Sequence, residues 1–442
     1  MPVKSNNNNR LTSWKEIAAY FECGVRTCHR WEKELGLPVY RSSKSPKSRV
    51  YAYEDELDAW FAVTFKKNHQ KNEAQGKFLK HSKQICISAI AVFIVVIVSI
   101  AYSAWYKSAP VPAGFSIQGS VLTILSEKDK EIWRFDTEVK KLITEEEYLS
   151  RYQFKRCNPN TNHVYLPFIS IEDLNSDSKK EVLFSIQTQD NFNEGLLLCF
   201  DHKGKELWRF QGGKELVFGK EKFSNDFKFE GFCVEDLDND NNLEILVVSF
   251  QRDFYPTQLV VLDNSGEKIG EYWNSGRFTD IVCKDLDADG KKEIIVAGMN
   301  NEYKKAALIV FDSGRIDGAS PQGSDYKCSE LPPGTENFYI LFPRTDVDRL
   351  DNLLETLLRV ELLRGGRVSV LTRYSNIFFE LDHNLELKEI HISNSFELNH
   401  RNAVKMGRIS STLNEEYLNK LKNGLLYYDG TSWVSVPSKN NY

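Results

Sequence analysis

None of the eight cysteines has a partner at Cys-x-x-Cys spacing, and no other metal-ligand spacing occurs among them. That leaves no sequence basis for a zinc-built module. Cys199, Cys233 and Cys283 sit inside apolar strand-like runs, where cysteine serves as a small buried hydrophobe. Cys157 and Cys328 fall in loop-like sequence and can pair only if that part of the chain is exported. The eight histidines are scattered, and no Ser/His/Asp or Cys/His set is identifiable, so no enzyme is expected. The long apolar run begins far beyond the first ~15–30 residues, where a cleavable signal peptide would sit.

Charge is missing altogether between Lys83 and Lys107. Residues 84–106, QICISAIAVFIVVIVSIAYSAWY, match the ~20 apolar residues that a helix needs to cross a bilayer. Tyr102, Trp105 and Tyr106 gather at one end, as aromatic residues do at a membrane interface. Residues 66–83 contain six lysines, whereas residues 107–124 contain only Lys107. By the positive-inside rule the N-terminus is cytoplasmic and the C-terminal part lies outside the cell (inner) membrane. Residues 1–84 hold 16 Lys and Arg against nine Asp and Glu, and the rest of the chain holds 41 against 53. A basic N-terminal module suits a polyanionic partner, and the acidic remainder does not.

Within residues 10–63, Ser13 and Glu16 have capping-box spacing and mark a helix start at Trp14. Ile17, Ala18 and Phe21 share one face of that helix, which ends at Glu22-Cys23-Gly24. A second helix spans Val25 to Leu35, with Cys28, Trp31 and Leu35 inward and Arg26, His29, Arg30 and Lys33 outward. Gly36-Leu37-Pro38 stops it. Val39–Arg41 and Arg49–Tyr53 alternate like two strands around the loop SSKSPKS, and Glu54 to Val63 closes the module as a third helix.

The stretches LTSWKEIAAYF, VRTCHRWEKELGLPVYR and RVYAYEDELDAW resemble the winged helix-turn-helix of the MerR/excisionase type. The resemblance implies binding of double-stranded DNA through Arg26, Thr27, His29 and Arg30, with Lys33 on the same helix. The wing, with Arg41, Lys44, Lys47 and Arg49, would lie on phosphates. It also implies a homodimer. Two departures are Glu22, where such sequences usually have Gly, and Gly24, where they usually have a capping Ser.

Beyond the Pro-containing link 107–114 the chain repeats itself. ISIEDLNSDSKKEVLFSI, FCVEDLDNDNNLEILVVSF and IVCKDLDADGKKEIIVAGM align, and RTDVDRLDNLLETLLRV is a fainter fourth copy. Their first acidic residues are Asp173, Asp236, Asp285 and Asp346, spaced 63, 49 and 61 residues apart. Between them recurs a strand, a polar turn and a strand ending in an aromatic residue, as in LLLCFDHKGKELWRF and QLVVLDNSGEKIGEYW. Trp133, Trp208 and Trp273 hold one position in these units, as packing residues. The combination resembles FG-GAP/VCBS repeats, and an all-β propeller of about six or seven blades over residues 115–442 is expected. A last strand pairing with the first blade would close the ring.

Three acidic loops share the spacing 1, 3, 5, 9: Asp173/Asn175/Asp177/Glu181, Asp236/Asp238/Asp240/Glu244 and Asp285/Asp287/Asp289/Glu293. Alternate side chains of a tight loop can converge as oxygen ligands, so structural calcium is expected. Asp and Asn side chains capping their own turns are the other explanation. The fourth loop carries an extra residue before Asp351 and is expected to bind nothing. The expected architecture is multidomain. It comprises a small α+β winged helix-turn-helix at 10–63, a basic juxtamembrane linker at 64–83, a transmembrane helix at 84–106 and a propeller sensor for an external ligand or protein. A membrane-anchored one-component transcription regulator follows. The competing reading is an extracytoplasmic adhesion or scaffold propeller whose N-terminal module binds a cytoplasmic protein.

Overall fold

The computed structural model describes residues 10–41, 49–65, 110–154, 165–189, 195–251 and 255–437. The chain divides into two compact units, residues 1–107 and 108–442. The expected span 84–106, most of the basic linker, Lys44, Lys47 and Cys157 lie outside the described residues. Among the described residues no helix is long and apolar enough to cross a membrane.

The first unit runs β1 (Arg10–Leu11), α1 (Trp14–Tyr20), α2 (Val25–Leu35), β2 (Tyr40–Arg41), β3 (Val50–Tyr53) and α3 (Glu54–Phe65). Ser13 caps α1 by accepting the Glu16 N–H at 3.3 Å, and the Glu16 carboxylate accepts the Thr12 N–H at 2.7 Å. Both helix starts fall where capping and periodicity place them. β3 lies between β1 and β2 in one antiparallel sheet. Strand β1 adds to the pair that alternation indicates. Ile17, Ala18, Cys28, Leu37, Ala52 and Leu57 form the core. Leu35, expected inward, is exposed because it is the last residue before the left-handed Gly36 that turns the chain away.

The turn between α1 and α2 carries its cost in two residues. Glu22 has φ 51°, the left-handed conformation, which costs a residue with a Cβ about 1 kcal/mol. Gly24 is the N-cap of α2 and offers no side-chain acceptor to the helix amides. Glu22→Gly should therefore raise the stability of this unit by about 1 kcal/mol. Urea unfolding of fragment 1–70 checks this, and an unchanged or lower midpoint would contradict it.

The second unit is built from antiparallel sheets. The first contains β4 (Pro112–Gln118), β5 (Val121–Ser126) and β6 (Glu131–Asp136) and is followed by α4 (Glu145–Phe154). The second contains β7 (Ile169–Glu172), β8 (Glu181–Ser185), β9 (Leu196–Phe200) and β10 (Glu206–Gln211). A hairpin of β11 (Leu216–Phe218) and β12 (Glu221–Phe223) precedes the third sheet. That sheet is β13 (Lys228–Glu235), β14 (Glu244–Phe250), β15 (Thr257–Leu262) and β16 (Lys268–Asn274). The fourth begins with β17 (Phe278–Lys284), β18 (Glu293–Asn300), β19 (Lys305–Phe311) and β20 (Phe338–Leu341). After α5 (Asp346–Leu350), the fifth holds β21 (Leu357–Leu362), β22 (Val368–Thr372), β23 (Ile377–Leu381) and β24 (Leu387–Ile392). Then come α6 (Asn394–Lys405), α7 (Glu415–Lys422), β25 (Leu426–Tyr428) and β26 (Trp433–Val434).

Apart from the last hairpin, the strands of these sheets pair in chain order, and consecutive sheets share cores, as propeller blades do. One core joins the first three sheets, a second the third and fourth, and a third the fourth and fifth. Middle strands such as β14 and β15 are therefore buried on both faces, whereas β10 alternates. The repeated tryptophans join neighbouring blades. Trp133 of β6 lies against Gly204 in the β9–β10 turn, and Trp208 of β10 lies against Gly266 in the β15–β16 turn. Both glycines have φ +84°, and a Cβ on either would come within 2.7 Å of the indole.

The described residues form five such sheets where six or seven blades are expected. The final hairpin, GLLYYDGTSWVSV, does not start a blade or pair with the first. Its strands β25 and β26 extend the fourth sheet beyond β20, with Ile340 opposite Tyr427 and Leu341 opposite Leu426. An alternating hairpin satisfies any open sheet edge, so its pattern does not say which edge it takes. The uneven repeat spacing also has a cause. The 63-residue interval contains the β11–β12 hairpin, and the 61-residue interval contains a long insertion, residues 312–337, between β19 and β20.

Candidate functional site

The three acidic loops each join the first and second strands of sheets two, three and four, so they line up at one end of the unit. Each loop closes on its ninth residue. Glu181, Glu244 and Glu293 are buried and accept the N–H of Leu174, Leu237 and Leu286 at 3.0, 2.8 and 2.6 Å. Burial, with the nearby aspartates adding to it, pushes Glu181 and Glu244 above the usual carboxylate range. It pushes Glu293 up to about 7. The loops are also tied side by side: Ser176 donates to the Asn241 carbonyl at 2.5 Å, and Asn239 to the Gly290 carbonyl at 2.9 Å.

Their carboxylates do not converge equally. Asp236, Asp238 and Glu244 bring oxygens within 4.8 Å of one another, as do Asp285, Asp287 and Asp289. Asp240 turns instead to the Asn242 amides at 2.7 and 2.9 Å. Glu293, whose bond to Leu286 matches that of Glu244 to Leu237, does not join the third loop's group. In the first loop Asp173 and Asn175 accept the Asp177 N–H, and Asp177 accepts Lys179 Nζ at 2.9 Å. Among the described residues that loop forms no such group, because its acceptors close its own turn and a lysine neutralises one of them. In loops two and three the leading carboxylates keep one oxygen each, Asp236 Oδ1 and Asp285 Oδ1, buried with no hydrogen-bond partner. A buried anionic oxygen without a donor is costly, and a hard cation would satisfy it. Those two loops fit calcium. The fourth loop does something else. Asp346–Leu350 is a short helix, and Asp348 is buried with both oxygens 2.8 Å from Ser375 Oγ.

On α2, Arg26, His29, Arg30 and Lys33 stand at i, i+3, i+4 and i+7, and all four are exposed. Thr27 is half-buried beside them. His29 packs on Trp14 with ring centroids 4.1 Å apart, which fixes its direction. Arg41 is bound to Glu32 by two bonds of 2.5 and 3.1 Å and so ties β2 to α2. Its charge is thus shared with a carboxylate rather than held open for phosphate. Arg49 is exposed at the start of β3.

The sequence pattern does not reveal a cavity of about 460 Å³ walled by the 312–337 insertion, including Pro321, Cys328, Pro332, Gly334 and Glu336, and by Tyr428 of β25. The only sequence signal was the long gap and its prolines. The insertion is anchored through Trp273, whose N–H donates to the Gly318 carbonyl and whose carbonyl accepts the Ser320 N–H. Beneath it Tyr339 donates to Asn274 and accepts from Asn300, both at 3.0 Å. Cys328, a possible disulfide partner by sequence, is a buried free thiol. Glu336 is wholly buried beside Tyr272, and burial pushes it up to about 8.

No protein-family model matches the chain, and no curated protein matches it. Solved structures align at low similarity. A protein of unknown function from Bacteroides caccae is 10% identical over 64% of this chain and 72% of its own, with a TM-score of 0.27. The Dos1 propeller is 9% identical over 62% and 66%, at 0.28. The Pseudomonas aeruginosa PilY1 C-terminal domain is 10% identical over 64% and 53%, at 0.33. This chain thus spans about half of the PilY1 chain. At such scores the description as propeller blades rests on the strand order and shared cores.

Glu336 yields a pH test. Its folded value lies above the ordinary 4.5, so its contribution to stability is complete below about pH 4.5 and is lost as the pH rises through about 8. Glu336→Gln should flatten the fall in melting temperature across that window. Parallel slopes for the two proteins would show that the carboxyl ionises freely.

Proposed function

We propose that the chain is a membrane-anchored one-component transcription regulator. In this reading residues 10–63 are a winged helix-turn-helix that binds double-stranded DNA in the cytoplasm. Residues 84–106 cross the membrane, and the propeller outside meets a ligand or protein. The observation that carries it is the exposed face of α2 on which the cations Arg26, Arg30 and Lys33 stand together with His29. Two short helices joined by a tight turn, followed by a small antiparallel sheet, support it, since that arrangement lets the second helix enter a major groove. The topology rests on the lysine bias of residues 66–83 over 107–124. Pairing into a homodimer would let events outside change spacing inside.

The fragment 1–70 should bind duplex DNA with an affinity whose logarithm falls linearly with the logarithm of salt concentration, because Lys and Arg displace counterions. Arg30→Ala should cost about 1–3 kcal/mol on a specific site. Arg41→Ala should act mainly by loosening β2 from Glu32, and so lower stability more than affinity. Absent or salt-independent binding would overturn the regulator and favour the adhesion or scaffold reading.

Calcium is the proposed structural cofactor of the second and third loops, with Asp236, Asp238, Glu244, Asp285, Asp287 and Asp289 as ligands. A cation bound only by the folded form stabilises it by RT ln(1 + [L]/Kd). At millimolar calcium and a Kd of about 10⁻⁴–10⁻³ M, that is about 0.4–1.4 kcal/mol per site. The melting temperature of the protein should rise with calcium over chelator. Asp238→Ala with Asp287→Ala should remove most of the rise. Asp348→Ala should lower the melt itself, since it breaks the bonds to Ser375, yet leave the calcium increment intact. Equal melts with calcium and chelator would withdraw the assignment.

A further inference from the structure

Cys23 and Cys28 flank the start of α2, whose N-cap is Gly24. They hold the position before the cap and the fourth helical position, which ordinarily carry the two apolar side chains of a hydrophobic staple. Here the staple is made of two thiols with their sulfurs 3.5 Å apart. Cys28 is buried and Cys23 half-buried, so only one of the pair faces solvent. Left-handed Glu22 and the bond from the Cys23 N–H to the Ala18 carbonyl, 2.9 Å, bring Cys23 back over the helix start. A disulfide needs sulfurs about 2.05 Å apart, so closure asks for a movement of roughly 1.5 Å in a turn with no side-chain cap to hold it rigid.

We infer that Cys23 and Cys28 are a reversible oxidation site, closing to a disulfide across the α1–α2 turn when the chain meets a peroxide. The more accessible Cys23 thiol gives up its proton and its sulfur attacks the peroxide O–O bond; the departing hydroxide takes up that proton, leaving Cys23 sulfenic acid and one water. The Cys28 sulfur then displaces hydroxide from that sulfenic sulfur, forming the S–S bond and releasing a second water. Two thiols are oxidised and one hydrogen peroxide is reduced. Burial, with Cys23 beside it, pushes Cys28 up to about 12, so Cys23 is the thiol that reacts first. In a reducing compartment such a pair works as a transient redox sensor rather than a permanent staple. The crosslink would lock the N-terminus of α2. Its effect on DNA rests on the function proposed above, whereas the crosslink itself does not.

The test uses the full chain in detergent micelles, treated with hydrogen peroxide, alkylated and digested with trypsin. Trypsin cuts after Lys15, Arg26 and Arg30, and Arg26 lies between the two cysteines, so the disulfide joins peptide 16–26 to peptide 27–30. The expected result is that linked pair, absent before oxidation, lost with dithiothreitol and absent from Cys23→Ser. Amides at the start of α2 should exchange more slowly in the oxidised chain. The inference is overturned if both peptides remain separately alkylated, or if Cys23 proceeds to sulfinic acid while Cys28 stays alkylatable. A DNA-binding failure with the linked pair present would count against the regulator and not against this site.

Discussion

The C-terminal unit depends on the contact between one blade and the next. A four-stranded meander with both faces apolar cannot stand alone, and each of these sheets covers its neighbour. The contact has a fixed point where Trp133 lies on Gly204 and Trp208 on Gly266. The glycine is doubly required there, for its left-handed backbone and for the space the indole fills. Trp273 occupies the same position in the third sheet but meets no such turn. The fourth sheet replaces that turn with the 312–337 insertion, and Trp273 is buried beneath it, against Phe227. One break in the repeat thus moves a packing residue into a new core and opens the cavity beside it.

The same docking aligns the acidic loops. Because the sheets follow one another in register, the loops lie side by side and exchange hydrogen bonds through Ser176 and Asn239. The packing concentrates carboxylates, and their burial makes ionisation costly at Glu181, Glu244 and Glu293. In loop one Glu181 stays raised, while the loop's own amides occupy Asp173 and Asn175 and Lys179 pairs with Asp177. Loops two and three retain buried oxygens that no donor reaches. The difference between a turn and a cation site is thus a matter of which acceptors remain unspent.

The N-terminal unit is held differently. Its small core leaves much of its order to local devices: the Ser13 cap, the left-handed Gly36 and the Arg41–Glu32 pair. The turn is its least economical part, with Glu22 in a glycine conformation and Gly24 in a capping position. Both departures were visible in the sequence, but the conformation at Glu22 needed the structure. The same turn carries the thiol pair, so the weakest local geometry and the reactive site coincide.

Capping spacing, helical periodicity and alternation located the three helices and two wing strands of the N-terminal unit and the acidic strand-loop-strand repeats, because those signals are local. Strand β1, the β11–β12 hairpin and the helices α4 to α7 were not among them, so the C-terminal unit is not the all-β unit expected. The helix starts at Trp14 and Val25 and the acidic strand-loop-strand repeats needed nothing beyond the residues themselves. The uncharged run 84–106 and its lysine flank are equally properties of the sequence alone. Which sheet edge took the last hairpin was not local, since β20 and every other open edge offer the same amides and carbonyls. Nor was the fate of each carboxylate: Asp240 and Asp236 look alike in the repeat, yet one meets Asn242 and the other is buried with a bare oxygen. The cavity under residues 312–337 and the nearness of Cys23 to Cys28 were likewise decided in three dimensions. Spacing along a chain ranks which groups can meet, but only packing determines which ones do and what water they lose in meeting.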